Sequence, residues 1–402
     1  MKRIAFQTYM GEEWLAGSTA TVGLLQALQT LGPEAPEVDL VVWTGTAPAS
    51  YAPALPYISQ VLSIPYSVPA KAAPARTPLQ RWLGQPAAAP PAQPRRSKIL
   101  LERGVVCTFS TIWSERLDFG IPTVIWLPDF QHRRLPEMFS ASQRSERDAL
   151  YLKEIEAATL VVVTAEDVGH DLAAFAPQHA EKARLLPLVP VIPPEVYQQD
   201  PAAKLAEYHL PERFILLPNQ FWKHKNHELV LAALSRLRKQ GVTPTIVCTG
   251  NPYDSRHPEY FAALLAHISR LNLREQFILL GIVPRLDVLG LMRQAVGVLN
   301  ASLFEGFGLS LSESKFLGKQ ALVSDLAAHR EQAAPDTLYF DPLQADDLAD
   351  KLAQMWRSNS AGPDLPREVA ARAALSLQFA SVGRTFAAIL AEAVARWQTA
   401  PA

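Results

Sequence analysis

Short runs of β-branched and other apolar residues recur through the chain and alternate with stretches whose apolar residues repeat at helical spacing. That pattern fits parallel sheets covered by helices and not a β-sandwich. In the first half the runs are RIAFQT, VDLVVWT, VVCTFS, TVIWLP and LVVVTA, with helices predicted at Ser18–Leu31 and Ser145–Ala158. In the second half they are RFILLP, TPTIVCTG, QFILLG, VGVLNAS and ALVSD, and a helical run follows each of the first four. At 402 residues the chain exceeds what one hydrophobic core usually fills. The pattern therefore predicts two doubly wound α/β lobes with a cleft between them. Prolines 190, 193, 194 and 201 interrupt any continuing element and place the join. Residues 1–195 form the first expected lobe, 196–380 the second, and 381–402 a C-terminal helix.

Composition narrows the partner. The chain has 38 basic against 39 acidic side chains, so a general nucleic-acid or membrane-coating role gains no support. Cys107 and Cys248 sit inside apolar runs with no metal or disulfide spacing and read as core thiols. The N-terminal MKRIAFQTYMG lacks the apolar segment of a signal peptide, and no run approaches the ~18 apolar residues of a membrane span, so a cytoplasmic protein is expected. One segment stands apart: residues 68–97 are rich in Pro and Ala and cannot bury enough apolar surface to order themselves. Between residues 71 and 103, Lys71, Arg76, Arg81, Arg95, Arg96, Lys98 and Arg103 face only Glu102. This stretch reads as a solvated loop or as a basic arm for anionic lipid, with Trp82 and Leu83 as an interfacial anchor.

The second half carries the chemistry. LFEGFGLSLSESKFLGK, Leu303 to Lys319, follows a predicted strand at the carboxyl end of a parallel sheet, where open α/β folds place ligands. Gly306 and Gly308 allow close approach and unusual φ values, and the helix starting near Leu309 offers free N–H groups to an anion such as a phosphate. Glu305 and Glu313 flank that helix start and can accept hydrogen bonds from hydroxyls on either side of the phosphate. A helix cap with two surface glutamates would look the same. LLPNQFWKHKNHELVLAAL, Leu216 to Leu234, leaves the first strand of the same lobe, crosses a polar loop and enters a helix. Lys223 and Lys225 lie in that crossing, where an ammonium neutralises a diphosphate. His224 and His227 have no clear third ligand and read as polar loop residues, not as a metal site.

PNQFWKHKNH, followed some eighty residues later by LFEGFGLSLSESKFLGK, resembles the retaining GT-B glycosyltransferases of family 4, whose signature is Glu, seven residues, Glu. The resemblance spans roughly residues 2–395 and is most specific in the second lobe. It implies a GT-B fold of two Rossmann-like lobes, with the C-terminal helix returning to the first. It implies that Lys225 binds the donor diphosphate, that Glu305 with the amides of Gly306, Phe307, Gly308 and Leu309 meets sugar and phosphates, and that Glu313 holds the ribose. Where many members carry Arg at the end of the strand before the Lys, this chain has Asn219 and Gln220. One cationic phosphate contact is then missing, or is supplied by Lys223 or another residue. In the first lobe, EEWLAGSTATVGLLQAL is similar to the family's glycine loop, with Gly17 in place and Ala16 where a second glycine is frequent. VIWLPDFQHRRLPEMFS resembles its His-Asp step, with Pro128 in place of the His. Asp129 and His132 remain as candidates to meet the sugar or acceptor, or as a buried structural pair.

The resemblance further implies transfer from a UDP-, GDP- or dTDP-sugar to a glycan or lipid-linked glycan with retention of configuration, in surface polysaccharide or lipopolysaccharide assembly. No Asp-x-Asp pair is present, and the implied chemistry needs no metal or other cofactor. Other classes share these features: a GT-B nucleotide-sugar epimerase, a phosphorylase requiring a lysine-bound pyridoxal phosphate that no residue here singles out, and a non-catalytic nucleotide-sugar sensor.

Overall fold

The computed structural model describes residues 3–7, 15–42, 49–63, 97–113 and 120–399. Seven strands, β1 Arg3–Gln7, β2 Glu37–Val42, β3 Gln60–Ser63, β4 Cys107–Thr111, β5 Thr123–Trp126, β6 Leu160–Val163 and β7 Ala183–Leu185, form one sheet in the order β3-β2-β1-β4-β5-β6-β7. Six more, β8 Ile215–Leu217, β9 Ile246–Thr249, β10 Phe277–Gly281, β11 Gly297–Asn300, β12 Ala321–Ser324 and β13 Leu338–Phe340, form a second in the order β10-β9-β8-β11-β12-β13. The pairings within β1–β6 and within β8–β13 are parallel. In each sheet the order reverses once, between β1 and β4 in the first and between β8 and β11 in the second. These reversals are the switch points where doubly wound sheets bind ligands.

Every strand expected from the apolar runs is present. The three that the pattern misses, β3, β7 and β13, are edge strands of three or four residues. An edge strand is covered less completely, so its sequence can lack the continuous apolar signal of the central strands; the fourth edge strand, β10, keeps it in FILLG. Cys107 and Cys248 are buried free thiols in β4 and β9.

The chain resolves into two compact units, one of Met1–Leu127, Glu154–Val162 and Gly383–Ala402, the other of Pro128–Lys153 and Val163–Val382. In the first unit Phe386, on the helix Leu365–Thr399, packs its ring on Phe6 and Phe109, with centroids 5.9 and 5.0 Å apart. By length and composition that helix could cross a bilayer, which the sequence expectation of no such run overlooked. Its Phe386, Leu390 and Ala393 are wholly buried, so one face of its C-terminal half packs into the core, while Leu365, Val369, Leu377 and Trp397 are exposed. Residues 64–96, with five of the seven cations of the basic segment, lie outside the described residues. Arg103, counted among the seven, places Nε 2.8 Å from the buried Asp39 carboxylate. That cation belongs to the fold and not to a solvated arm.

In the second unit, β8, β9, β11 and β12 are buried along their whole length, as expected of central strands covered on both faces. The helices His227–Lys239 and Ala345–Ser358 supply one cover through Val230, Leu231, Leu234 and Leu237 on the first and Leu348, Leu352 and Met355 on the second. This cover fixes β8 and β11 side by side, and both lead into the loops that carry the site.

Candidate active site

The loops leaving β8 and β11 flank the switch point of the second sheet. The β8 loop ends in a single 3-10 turn, Lys223–Lys225, and Asn226 then takes a left-handed conformation (φ 60°, ψ 38°) before the helix His227–Lys239 begins. Asparagine tolerates that conformation better than most residues. The buried Asp254, in the loop after β9, accepts the backbone N–H of Lys223 at 3.1 Å and straps the turn down. Lys225 is thereby aimed across the switch point, and its Nζ meets Glu305 Oε1 at 2.6 Å. The same oxygen accepts from Ser302 Oγ at 2.6 Å and Asn300 Nδ2 at 3.2 Å.

Burial by itself raises the Glu305 carboxyl. The charges of Lys225 and His329, with the hydrogen bonds from Lys225 and Ser302, outweigh it and bring the group from its ordinary 4.5 down to about 2. A folded value below the unfolded one means the stabilisation is complete above the ordinary value and is lost as pH falls toward the folded one, roughly 3 kcal/mol in all. Thermal melts taken from neutral pH down to about pH 2 should show wild type losing more stability than Glu305→Gln below about pH 4.5. Parallel curves for the two proteins would contradict this account.

Beyond Glu305 the chain turns through Gly306–Phe307–Gly308 into the helix Leu309–Phe316. Gly308 has φ 86°, and a Cβ there would lie 3.0 Å from the His329 ring. His329 is fixed in turn, with Nδ1–H donating to the Ser324 carbonyl at 2.8 Å. Gln332 Nε2 donates to the Phe307 carbonyl. Leu311 N–H donates back to the Gly308 carbonyl at 3.0 Å, which leaves Leu309 and Ser310 as the first-turn amides with no intrahelical acceptor, at the end of β11. Gly306 is needed for a reason the sequence does not disclose. The close approach it permits is to the chain itself, since a Cβ would fall 2.3 Å from the Pro128 carbonyl oxygen and 2.7 Å from Asp129 Cβ.

Glu313, one turn into the helix, is buried and pairs with the half-exposed guanidinium of Arg285. Arg285 opens the helix Arg285–Gln294 after β10. No motif marks it, and only its place just beyond a strand's carboxyl end could have signalled it. Asn300 and Ser302 had that signal more plainly, as polar residues closing the apolar run VGVLNAS.

Asp129 is half-buried against Gly306, and its Oδ1 accepts the Gln131 N–H at 2.8 Å. Burial raises its carboxyl, the Gln131 amide and the charges of Arg147 and His132 oppose that, and Glu305 adds to it. His132 is fully buried between Phe130, Phe139 and Tyr151, and its Nε2–H donates to Asp148 at 3.0 Å. Burial lowers its pKa despite Asp148. Of the two candidates, Asp129 stands beside the Glu305 loop while His132 lies within the aromatic cluster.

Asn219 is buried at the end of β8 with no hydrogen-bond partner for its Nδ2. Lys223 is exposed. His224 and His227 are buried apart in function, His224 with Nδ1 toward Arg256 and His227 stacked on Phe221. Gly17 is not in a loop. It lies in the first turn of the helix Leu15–Gln29, where its carbonyl accepts from Thr21 Oγ1 at 3.0 Å. The residues before that helix, 8–14, are outside the described ones.

Residues 205–374, which contain every candidate above except Gly17, Asp129 and His132, match the model of a family described as glycosyl transferases group 1. No curated protein matches the sequence. Among solved structures, Anabaena HepE in complex with UDP and glucose is similar with a TM-score of 0.68 at 15% identity, over 98% of this chain and 100% of that one. Sucrose-phosphate synthase of Thermosynechococcus elongatus is similar at 0.60 and 16%, over 98% and 96%. The lipopolysaccharide outer core galactosyltransferase WaaB in its apo form is similar at 0.58 and 14%, over 98% and 99%. Likeness at such identities speaks to fold: the chain has the two-lobed GT-B fold, and its residues 205–374 are similar to glycosyl transferases group 1.

Proposed function

We propose that the protein is a retaining glycosyltransferase that moves a hexose from a nucleotide-sugar donor to a glycan or glycolipid acceptor without a metal ion. The observation that carries this reading is the Lys225–Glu305 pair beside the fixed amides of Gly306–Leu309 at the switch point of the second sheet. The family match over the same stretch supports it. Lys225 gives one of its three N–H donors to Glu305, and the others remain for a diphosphate. With the helix-start amides, it supplies positive charge where the leaving group gains negative charge. Attack on the face the diphosphate leaves, with the departing phosphate taking the acceptor hydroxyl's proton, retains configuration and needs no protein nucleophile. Orientation and preorganised charge supply the acceleration. Glu313 takes the ribose hydroxyls, Asn219 and Lys223 border the phosphates, and Asp129 or His132 meets the sugar or acceptor.

Incubation with UDP-, GDP- and dTDP-sugars, with and without an acceptor extract and with or without chelator, tests the reading. Transfer releases nucleoside diphosphate together with a glycosylated product, and chelator leaves it unchanged. An interconverted donor without acceptor would instead indicate an epimerase, and binding without turnover a sensor.

An acceptor in surface polysaccharide or lipopolysaccharide assembly is lipid-linked, which would bring the enzyme to the cytoplasmic face of a membrane. The basic stretch 71–103, without the fold-bound Arg103, would attach it reversibly, each Lys or Arg near anionic lipid contributing about 1 kcal/mol. Sedimentation with anionic vesicles should weaken as salt rises toward about 0.5 M, because the Debye length shrinks. Replacing Arg76, Arg81, Arg95 and Arg96 by Ser should reduce it and leave nucleotide affinity intact. Equal sedimentation of the two proteins would remove the attachment.

A further inference from the structure

The charged pairs of the site are balanced. Glu305 neutralises Lys225 and Glu313 neutralises Arg285, so these pairs alone present no net positive charge to a phosphate-bearing ligand. A further cation borders them. Arg256, in the loop after β9, has a side chain only 14% exposed. Its Nη1 donates to Gln131 Oε1 at 2.7 Å, and its Nη2 lies 3.4 Å from His224 Nδ1. Both are neutral acceptors. Its ion-pair partner Asp254 stands 3.5 Å from Nε and already accepts the backbone N–H groups of Lys223 and Arg256 itself.

The guanidinium lies over the Phe139 ring, 4.8 Å from its centroid, and Arg147 lies over the same ring at the same distance. Two like charges thus share one aromatic ring. Burial lowers the Arg256 pKa and Arg147 adds to this, while the charge and hydrogen bond of Asp254 and the charge of Asp129 oppose it. The position is also specific. Gln131 follows two residues after Asp129, which packs against Gly306. His224 precedes Lys225, and its carbonyl accepts the Leu303 N–H at 2.8 Å. Arg256 therefore touches the residue before Lys225 and, through Gln131, the segment whose Pro128 and Asp129 pack on Gly306.

We propose that Arg256 is a phosphoryl-oxygen contact of this site, a cation beside the neutral Lys225–Glu305 pair whose own carboxylate partner, Asp254, is shared with two backbone N–H groups. A planar guanidinium held by an aromatic ring and by exchangeable neutral acceptors can turn two parallel N–H donors to a phosphate. The proposal rests on the glycosyltransferase reading for the identity of its ligand. The phosphate belongs either to the donor's diphosphate or to an anionic acceptor.

Calorimetry on the full chain tests it, with UDP, GDP and dTDP, their nucleosides, and inorganic pyrophosphate as probes. If the donor is the source, Arg256→Gln should weaken the best-bound nucleoside diphosphate about tenfold or more and leave the nucleoside unchanged. If the acceptor is the source, nucleoside diphosphate affinity holds, and pyrophosphate binding to the nucleotide-saturated protein is lost in the variant. Arg256→Lys, which keeps the charge without the planar fork, should lose less in either case. It also decides the matter should Arg256→Gln not fold, since affinities equal to wild type for nucleoside diphosphate and pyrophosphate would overturn the proposal. So would equal affinities in Arg256→Gln. Failure of the wild type to bind any nucleoside diphosphate would sink the glycosyltransferase reading separately. Pyrophosphate binding to the nucleotide-free protein would still decide Arg256: loss in the variant supports the contact, and no difference overturns it.

Discussion

Replacing Lys225 by Ala is expected to lower kcat by two to three orders of magnitude, about 3–4 kcal/mol of transition-state stabilisation, and to change KM much less. The asymmetry follows from the charge of the diphosphate, which grows as the glycosidic bond breaks, so a cation beside it acts more strongly on the transition state than on the bound donor. The structure adds a second consequence. Lys225 Nζ is the charged partner of a buried carboxylate, with side-chain exposures of 13% and 12%. Its removal leaves Glu305 uncompensated, which typically destabilises by about 3–5 kcal/mol. The two effects separate in the double variant Lys225→Ala/Glu305→Gln, which should recover most of the thermal stability and none of the turnover. Near wild-type kcat in a folded Lys225→Ala protein would transfer the role to Lys223 or Arg256. Recovery of activity along with stability in the double variant would make the pair purely structural.

What the sequence discloses and what it withholds divides along a physical line. The central strands were legible because burial on both faces writes an unbroken apolar run, as in LVVV of β6 and IVCT of β9. Of the four edge strands β3, β7 and β13 wrote none, and only β10 kept an apolar run, FILLG. The β8 and β11 loops were legible as candidate site loops because parallel sheets present ligands at their carboxyl ends and because glycines and charged residues interrupt the apolar pattern there. The partners of those residues were not. Arg285 lies 28 positions from Glu313, Asp254 lies 31 from Lys223, and Gly306 meets Pro128 across a far longer separation. Such pairings are products of the fold, and no local spacing encodes them. Gly17 shows the opposite error. The resemblance to a glycine loop implied a loop at Gly17, whereas the structure places it inside the first turn of a helix.

Glu313→Gln should weaken nucleoside diphosphate binding tenfold or more, because it replaces a charge-assisted acceptor by a neutral amide, a difference of about 1–3 kcal/mol. The carboxylate is 3% exposed and its charge is held by Arg285, so the variant removes one ion of a pair and frees a half-exposed guanidinium that can return to water. The fold should hold, since the charge left behind is the exposed one. A loss of affinity alone would not separate contact with the ribose from a shift of the helix Leu309–Phe316. The ligand supplies the missing leg of the cycle: the 2′,3′-dideoxynucleoside diphosphate lacks the hydroxyls that Glu313 is taken to hold. Wild type should bind it about tenfold more weakly than the parent nucleotide, and Glu313→Gln should bind the two almost equally. If the variant instead loses the same factor for both ligands, the carboxylate acts through the helix and not on the ribose. If it loses nothing for either, Glu313 leaves the site, and Arg285 with it.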